Sequence, residues 1–281
     1  MNRVIQHALF SSLALTVFCQ PSPAAEPEPT PPPLLFKDKA LETAVRKFVF
    51  EKRDNDKPLV EADLVNLSTI NAPGLGITNL TGLEKCLSLA ALDLAKNKIS
   101  DLAPLKGLAR LQYLNLAENQ IEDLAPLAED KALQYIELSH NRVKDLLPLH
   151  TLTNLASLYL SHNQIADLSP IVNLRRLSSL YLEHNKVSSI KGISGCASLM
   201  SLSLSHNSIT DIAPLDGLSG LYHLFLEGNK IRDLSPLVNM AKKDAEGEKR
   251  FAPFLNLYLK GNPVKRAQLS ALKQFGVRVQ E

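Results

Sequence analysis

The sequence predicts an α/β solenoid, with one short strand per repeat, short helical or 3-10 turns on the opposite side, and a helical cap at each end. Two observations carry this. Asn recurs at 97, 119, 141, 163, 185, 207 and 229, every step 22 residues, and Asn262 follows 33 later. Leu or Ile stands five and three positions before each of these Asn, from Leu92/Leu94 through Ile136/Leu138 to Leu257/Leu259. Side chains two apart on a strand point to one face, and a single repeat cannot bury that face alone, so stacking is obligatory. Leu fills roughly a fifth of the chain, against about a tenth in ordinary domains, as a repeated apolar pattern requires.

Composition narrows the function classes. Lys and Arg number 31 against 29 Asp and Glu, a net charge of +2. That balance lacks the basic footprint a nucleic-acid binder needs. Three Cys in 281 residues make no disulfide scaffold.

Residues 1–25 read as an export signal. Arg3 supplies the positive end, Ala8 to Cys19 is an apolar run too short to span a bilayer, and Ser22, Ala24 and Ala25 offer small residues for cleavage. Lipidation at Cys19 is the alternative, and Phe18 stands where a lipobox needs a small residue. No other stretch is long and apolar enough for a membrane helix, so the chain after cleavage is expected to be exported, secreted or periplasmic, without membrane insertion. Residues 26–35 form a Pro-rich linker, since seven of the 17 prolines lie between Pro21 and Pro33. Residues 36–66 are expected to cap the solenoid. Leu41, Ala44, Val45, Phe48 and Val49 have helical spacing, and Val60 to Leu67 reads as a second short helix.

The repeats run over 67–264. Their pattern LxxLxLxxNxI, followed by DLxPL, resembles the leucine-rich repeat in its bacterial internalin-type form, and the N-terminal flank resembles the caps of exported proteins of that kind. The resemblance implies a horseshoe with parallel strands on its concave face. The Asn column falls where each strand turns, where an amide can donate to and accept from orphaned loop backbone. On the convex side Asp101, Asp123, Asp145, Asp167, Asp211 and Asp233 are read as caps of short turns, with Pro three residues on in each case. Asp130 stands in a column otherwise filled by Leu108, Leu152, Leu174, Cys196, Leu218 and Met240. Either its loop turns it outward or it destabilises locally. Cys86 and Cys196 occupy equivalent positions five repeats apart, beyond disulfide reach, and read as buried inert thiols. The insertion at about 241–252 is charged on both signs and is expected to be a solvated loop. Residues 265–281 form a C-terminal cap, with a helix carrying Leu269, Leu272 and Phe275 and ending at Gly276.

No catalytic motif is present: no GxSxG, P-loop, HExxH or CxxC. His140, His162, His184 and His206 each precede a repeat Asn and form a ladder. Metal ligation and a pH response are the functional readings of it; a straight ladder makes no tetrahedron, so no metal or other cofactor is expected. The strand positions six, four and two before each Asn face solvent. Six of these 24 are aromatic, against 5% chain-wide, and strand propensity explains only part of that enrichment. The rest fits a recognition surface. The predicted contact residues are Tyr113, Tyr135, Tyr159, Tyr181, Glu183, His223, Phe225, Glu227 and Tyr258, weighted to the C-terminal half. The expected function is non-enzymatic binding of a protein partner by an exported monomer. A passive envelope component, an enzyme's regulatory subunit and a histidine-ladder metal binder remain as alternatives.

Overall fold

The computed structural model describes residues 34–247 and 249–281. The export signal, Cys19 and the linker up to Pro33 lie outside the described residues. Leu34–Glu281 forms one unit.

Ten three-residue strands make a single sheet whose spatial order is their chain order, every neighbour pair parallel. They are β1 (Thr69–Asn71), β2 (Ala91–Asp93), β3 (Tyr113–Asn115), β4 (Tyr135–Glu137), β5 (Ser157–Tyr159), β6 (Ser179–Tyr181), β7 (Ser201–Ser203), β8 (His223–Phe225), β9 (Asn256–Tyr258) and β10 (Arg278–Gln280). The register follows the 22-residue period: Leu114 lies beside Ile136, and Ile136 beside Leu158. This is the solenoid expected from the period. The paired leucines form one continuous core; Leu92, Leu94, Leu158, Leu160, Leu202 and Leu204 are all fully buried.

The Asn column holds the turns together. Asn163 Nδ2 donates to the carbonyls of Leu138 and Leu160, 2.9 and 3.0 Å, and its Oδ1 accepts from the Val143 N–H at 2.9 Å. Each Asn from 97 to 262 repeats this bridge between its own turn and the preceding one. On the convex side each capping Asp accepts the N–H two residues on, as Asp101 does from Ala103 at 2.8 Å. A Pro-containing 3-10 turn follows at Ala103–Leu105, Ala125–Leu127, Leu147–Thr151 and Ala213–Leu215. The repeat with Ser189 and Gly192 instead starts its turn from Gly192 at φ 83°.

The N-terminal cap contains α1 (Lys39–Arg46) and α2 (Glu61–Leu64). Asp38 caps α1 through its Oδ1, and its Oδ2 accepts from the Thr78 N–H, tying the cap to the first loop. The second helix is shorter than the expected 60–67. Phe48, expected on the apolar face, is 37% exposed because α1 ends two residues before it.

The insertion corrects a second expectation. It is not simply a solvated loop: the Pro236 turn lengthens into α3 (Ser235–Ala245), and Ala241, Phe251 and Ala252 are buried. Asp244 turns the chain back by accepting the N–H groups of Arg250, Phe251 and Ala252. The charge pattern concealed this, because only a few apolar anchors hold the segment. At the far end α4 (Arg266–Gln274) covers the core with Leu269 and Leu272, and Gly276 at φ 92° turns the chain into β10, a strand that the sequence pattern does not separate from the helical cap.

Asp130 remains in the leucine column. Its side chain is fully buried and neither carboxylate oxygen has a hydrogen-bond partner. Burial pushes its pKa up to about 6, with the Glu129 charge adding to the rise and the Gly107 backbone, too poorly placed to bond, opposing it.

Candidate protein-interaction face

The strand face carries a continuous strip of stacked rings. Adjacent parallel strands are about 4.8 Å apart, close to the thickness at which aromatic rings stack. Tyr113 and Tyr135 stack at 4.5 Å between centroids, Tyr135 and Tyr159 lie at 5.3 Å, and Tyr159 and Tyr181 at 5.0 Å. The strip crosses from one column to the next between β4 and β5. Tyr181 then approaches Phe225 at 6.4 Å across the whole width of β7, and Phe225 stacks on Tyr258 at 4.5 Å. His223 lies 6.2 Å from Phe225. Seven of the nine predicted contact residues are therefore brought into one assembly, and Glu183 and Glu227 lie along its edge.

The rings are less exposed than strand alternation alone predicts. Tyr113 is 37% exposed, but Tyr135, Tyr159, Tyr181, Phe225 and Tyr258 are half-buried because each ring covers its neighbour. Burial also raises the phenol pKa of Tyr113, Tyr135 and Tyr159; the charge of Asp93 adds to the first, that of Glu137 to the second and that of Tyr181 to the third. These phenols stay protonated at neutral pH. Ser203 and Ser205, expected to face solvent, are buried. Two strands span about 10 Å, so rings 6.4 Å apart lean towards each other over the intervening Ser203.

Serines position the charged groups, a role that sequence reasoning missed. Ser161 donates to Glu183, Ser205 donates to Glu227 Oε2 at 2.6 Å, and Ser201 Oγ lies 2.8 Å from the Tyr181 hydroxyl. The available signal was a serine one repeat before each glutamate in the same column.

The four histidines stack face to face at 4.1, 4.3 and 4.2 Å, tilted by 10–16°. Their backbones are left-handed, φ 53–58°, as is every position preceding a repeat Asn. Gly228 ends the ladder: a Cβ there would meet His206 Nδ1 at 2.6 Å. The lone pairs of an imidazole lie in its ring plane, so parallel rings do not converge on one ion. Among the described residues no group of three or more His, Cys, Asp or Glu is arranged to hold a metal. Burial, and then the neighbouring His140 and His184, lower the pKa of His162. Cys86 and Cys196 are buried and free, their thiols pushed up to about 12 and about 11, chiefly by burial.

Two concavities lie near these residues. A depression of about 470 Å³ on the strand face is lined by Glu183, Ser203, Ser205, Phe225, Glu227 and all four histidines of the ladder, among others. A second, of about 650 Å³, lies where α3 and the Phe251 turn meet the preceding repeat, lined by Tyr222, Met240, Lys243 and Phe251 among others. The inserted helix builds this second groove, so the repeat period gave no sign of it.

A repeat solenoid with a strip of stacked rings on its strand face has the form of an interaction scaffold. Family models for leucine-rich repeats match residues 87–129, 131–173 and 153–195 in two-copy form, and 175–231 in a further model. Internalin C2 of Listeria monocytogenes is similar at 34% identity and a TM-score of 0.69, over 73% of this chain and 91% of that one. The chain belongs to the bacterial internalin-type leucine-rich-repeat proteins. A leucine-rich-repeat protein of Leptospira interrogans shares the fold at 23% identity and a TM-score of 0.63, over 73% of this chain and 57% of that one. So does the functional domain of InlJ from Listeria monocytogenes, a domain that includes a cysteine ladder, at 22% and 0.62, over 86% and 54%. No curated protein matches by sequence. Leucine-rich-repeat proteins of this kind are protein-interaction modules rather than an enzyme family. No helix among the described residues is long and apolar enough to cross a membrane.

Proposed function

We propose that the protein is an exported, monomeric interaction module that binds a protein partner along the aromatic strip of its strand face, without catalysis or cofactor. The observation that supports this most is the run of stacked rings from Tyr113 on β3 to Tyr258 on β9. Aromatic side chains give large contact area at low entropy cost and dominate interface energetics. Because the rings hold each other in place before a partner arrives, little ordering remains to be done on binding. Export rests on the sequence of the first 25 residues, with Arg3, the apolar run to Cys19 and the small residues at 22, 24 and 25. Photo-crosslinking tests the reading. With p-benzoylphenylalanine in place of Tyr159, the protein should crosslink one protein partner on its native cells, and the same group at the exposed convex Lys106 should not. Capture from Lys106 alone would contradict the proposal.

A further inference from the structure

We infer that the depression over β7 receives one cationic side chain of the partner, an arginine guanidinium or a lysine ammonium, between Glu183 and Glu227 and above Ser203. This rests on the strand-face reading and adds the chemistry of what that face holds.

The column two before each Asn runs Ala95, Ala117, Ser139, Ser161, Glu183, Ser205, Glu227, Lys260. Glu183 and Glu227 thus flank Ser205 at a separation of two strands, about 10 Å. Each carboxylate is held by one serine hydroxyl, Ser161 on Glu183 and Ser205 on Glu227, which leaves further lone pairs on each free to accept. No Lys or Arg lines the depression, and besides the two carboxylates its titratable groups are the four ladder histidines; Lys260 follows Glu227 in the column but lies outside the lining. In a chain of net charge +2, this spot is locally acidic.

The floor supplies an independent sign. Ser203 Oγ is buried, lines the depression and has no hydrogen-bond partner. Buried hydroxyls are nearly always paired, so an unpaired one calls for a partner, which a ligand group can supply. Its lone pairs can accept from an N–H of an inserted cation that displaces the Tyr181 and Phe225 rings now leaning over it. Phe225 forms part of the wall, and Tyr181 leans towards it across β7. Ring faces attract cations, and carboxylates with hydroxyls satisfy several donors at once. A neutral or anionic side chain would leave the two carboxylates without a counter-charge. The same features therefore select for positive charge and against its absence.

The test is an NMR titration of the protein with three blocked peptides, acetyl-Gly-X-Gly-amide, with X arginine, lysine or citrulline, the last a neutral near-isostere of arginine. The arginine and lysine peptides should shift the amides of Ser203, Ser205 and Glu227 with a Kd on the order of 1–10 mM, and citrulline should bind at least about tenfold more weakly. Glu183→Gln combined with Glu227→Gln should weaken both cationic peptides at least about tenfold, while the Tyr113 amide and the rest of the spectrum show the fold intact. Absence of shifts around Ser203, equal binding of citrulline, or undiminished binding to the double variant would overturn the inference. Crosslinking from position 159 reports on the aromatic strip without using the depression. A partner captured there together with a silent depression overturns this inference alone, and failure of that crosslink with a responsive depression overturns the strip reading instead.

Discussion

Asp130→Leu is expected to stabilise the protein, and by an amount that depends on pH. In the wild type a carboxyl group fills a core position with no hydrogen-bond partner. Its pKa is about 6 when folded, against the ordinary 3.8. The folded state therefore holds its proton more tightly, and stability falls as pH rises from about 4 to about 6. Two pKa units at about 1.4 kcal/mol each make a loss of about 3 kcal/mol, complete above pH 7 and absent below about pH 3.5. Leu removes that loss and restores apolar contacts, so the variant should gain about 3–5 kcal/mol at pH 7.5. At about 2–4 °C per kcal/mol for a domain of this size, the melting temperature should rise by at least about 6 °C. Thermal melts followed by circular dichroism at pH 7.5 and pH 4.5 read both quantities. The gap between variant and wild type should be about 2 kcal/mol smaller at pH 4.5. Taking the difference cancels the other carboxylates. A variant no more stable than wild type, or a gap independent of pH, would refute the placement of Asp130 in the core.

Three further outcomes are expected. Asn163→Ala strands the Val143 N–H and removes one of two Asn amide donors from each of the Leu138 and Leu160 carbonyls, which keep those of Asn141 and Asn185, so urea melts should show a loss of about 2–5 kcal/mol, whereas a loss under about 1 would mean that the Asn column does not carry the turns. Cys86 and Cys196, with thiols at about 12 and about 11 and buried, should resist iodoacetamide at pH 8 in the native protein and react once it is unfolded; rapid native labelling would contradict their burial. Amino-terminal sequencing of protein from its native host should begin near Ala25 or Glu26; an intact Met1 would remove the basis for export, and a lipid on Cys19 would mean a membrane-anchored protein in place of a soluble one.

The repeat was legible because its columns are redundant. Leu158 and Leu160 alone would be one apolar pair, but eight such pairs in register with eight Asn fix strand, face and turn together. Leu75 marks where the redundancy ends: it stands where the Asn would be, and Asn97 from the next repeat serves its turn instead. The insertion and β10 were not legible, because each occurs once and has no second copy to align with. Phe251 and Ala252 anchor a segment whose charges suggested solvent. In the candidate site the sequence indicated which side chains share the strand face but not how they lean. Alternation placed Ser203 outward, and only the approach of Tyr181 to Phe225 across β7 explains why it is covered. Likewise the period aligned the four histidines, whereas their parallel stacking, which argues against a shared metal ion, depends on the left-handed backbone each adopts.

The central claim is that the aromatic strip binds the partner, and the affinity of a strip variant for the partner captured at position 159 tests it most directly. Tyr159→Ala with Tyr181→Ala removes the middle of the strip. The lost ring contacts should lower stability by about 1–3 kcal/mol and leave the protein folded at 25 °C. Calorimetric titration should then show binding weakened at least about thirtyfold, the loss of a hot spot of about 2 kcal/mol or more. Ala at the exposed convex positions Lys106 and Arg175 should change the affinity less than about twofold. A folded Tyr159/Tyr181 double variant that binds its partner as tightly as the wild type would contradict the account.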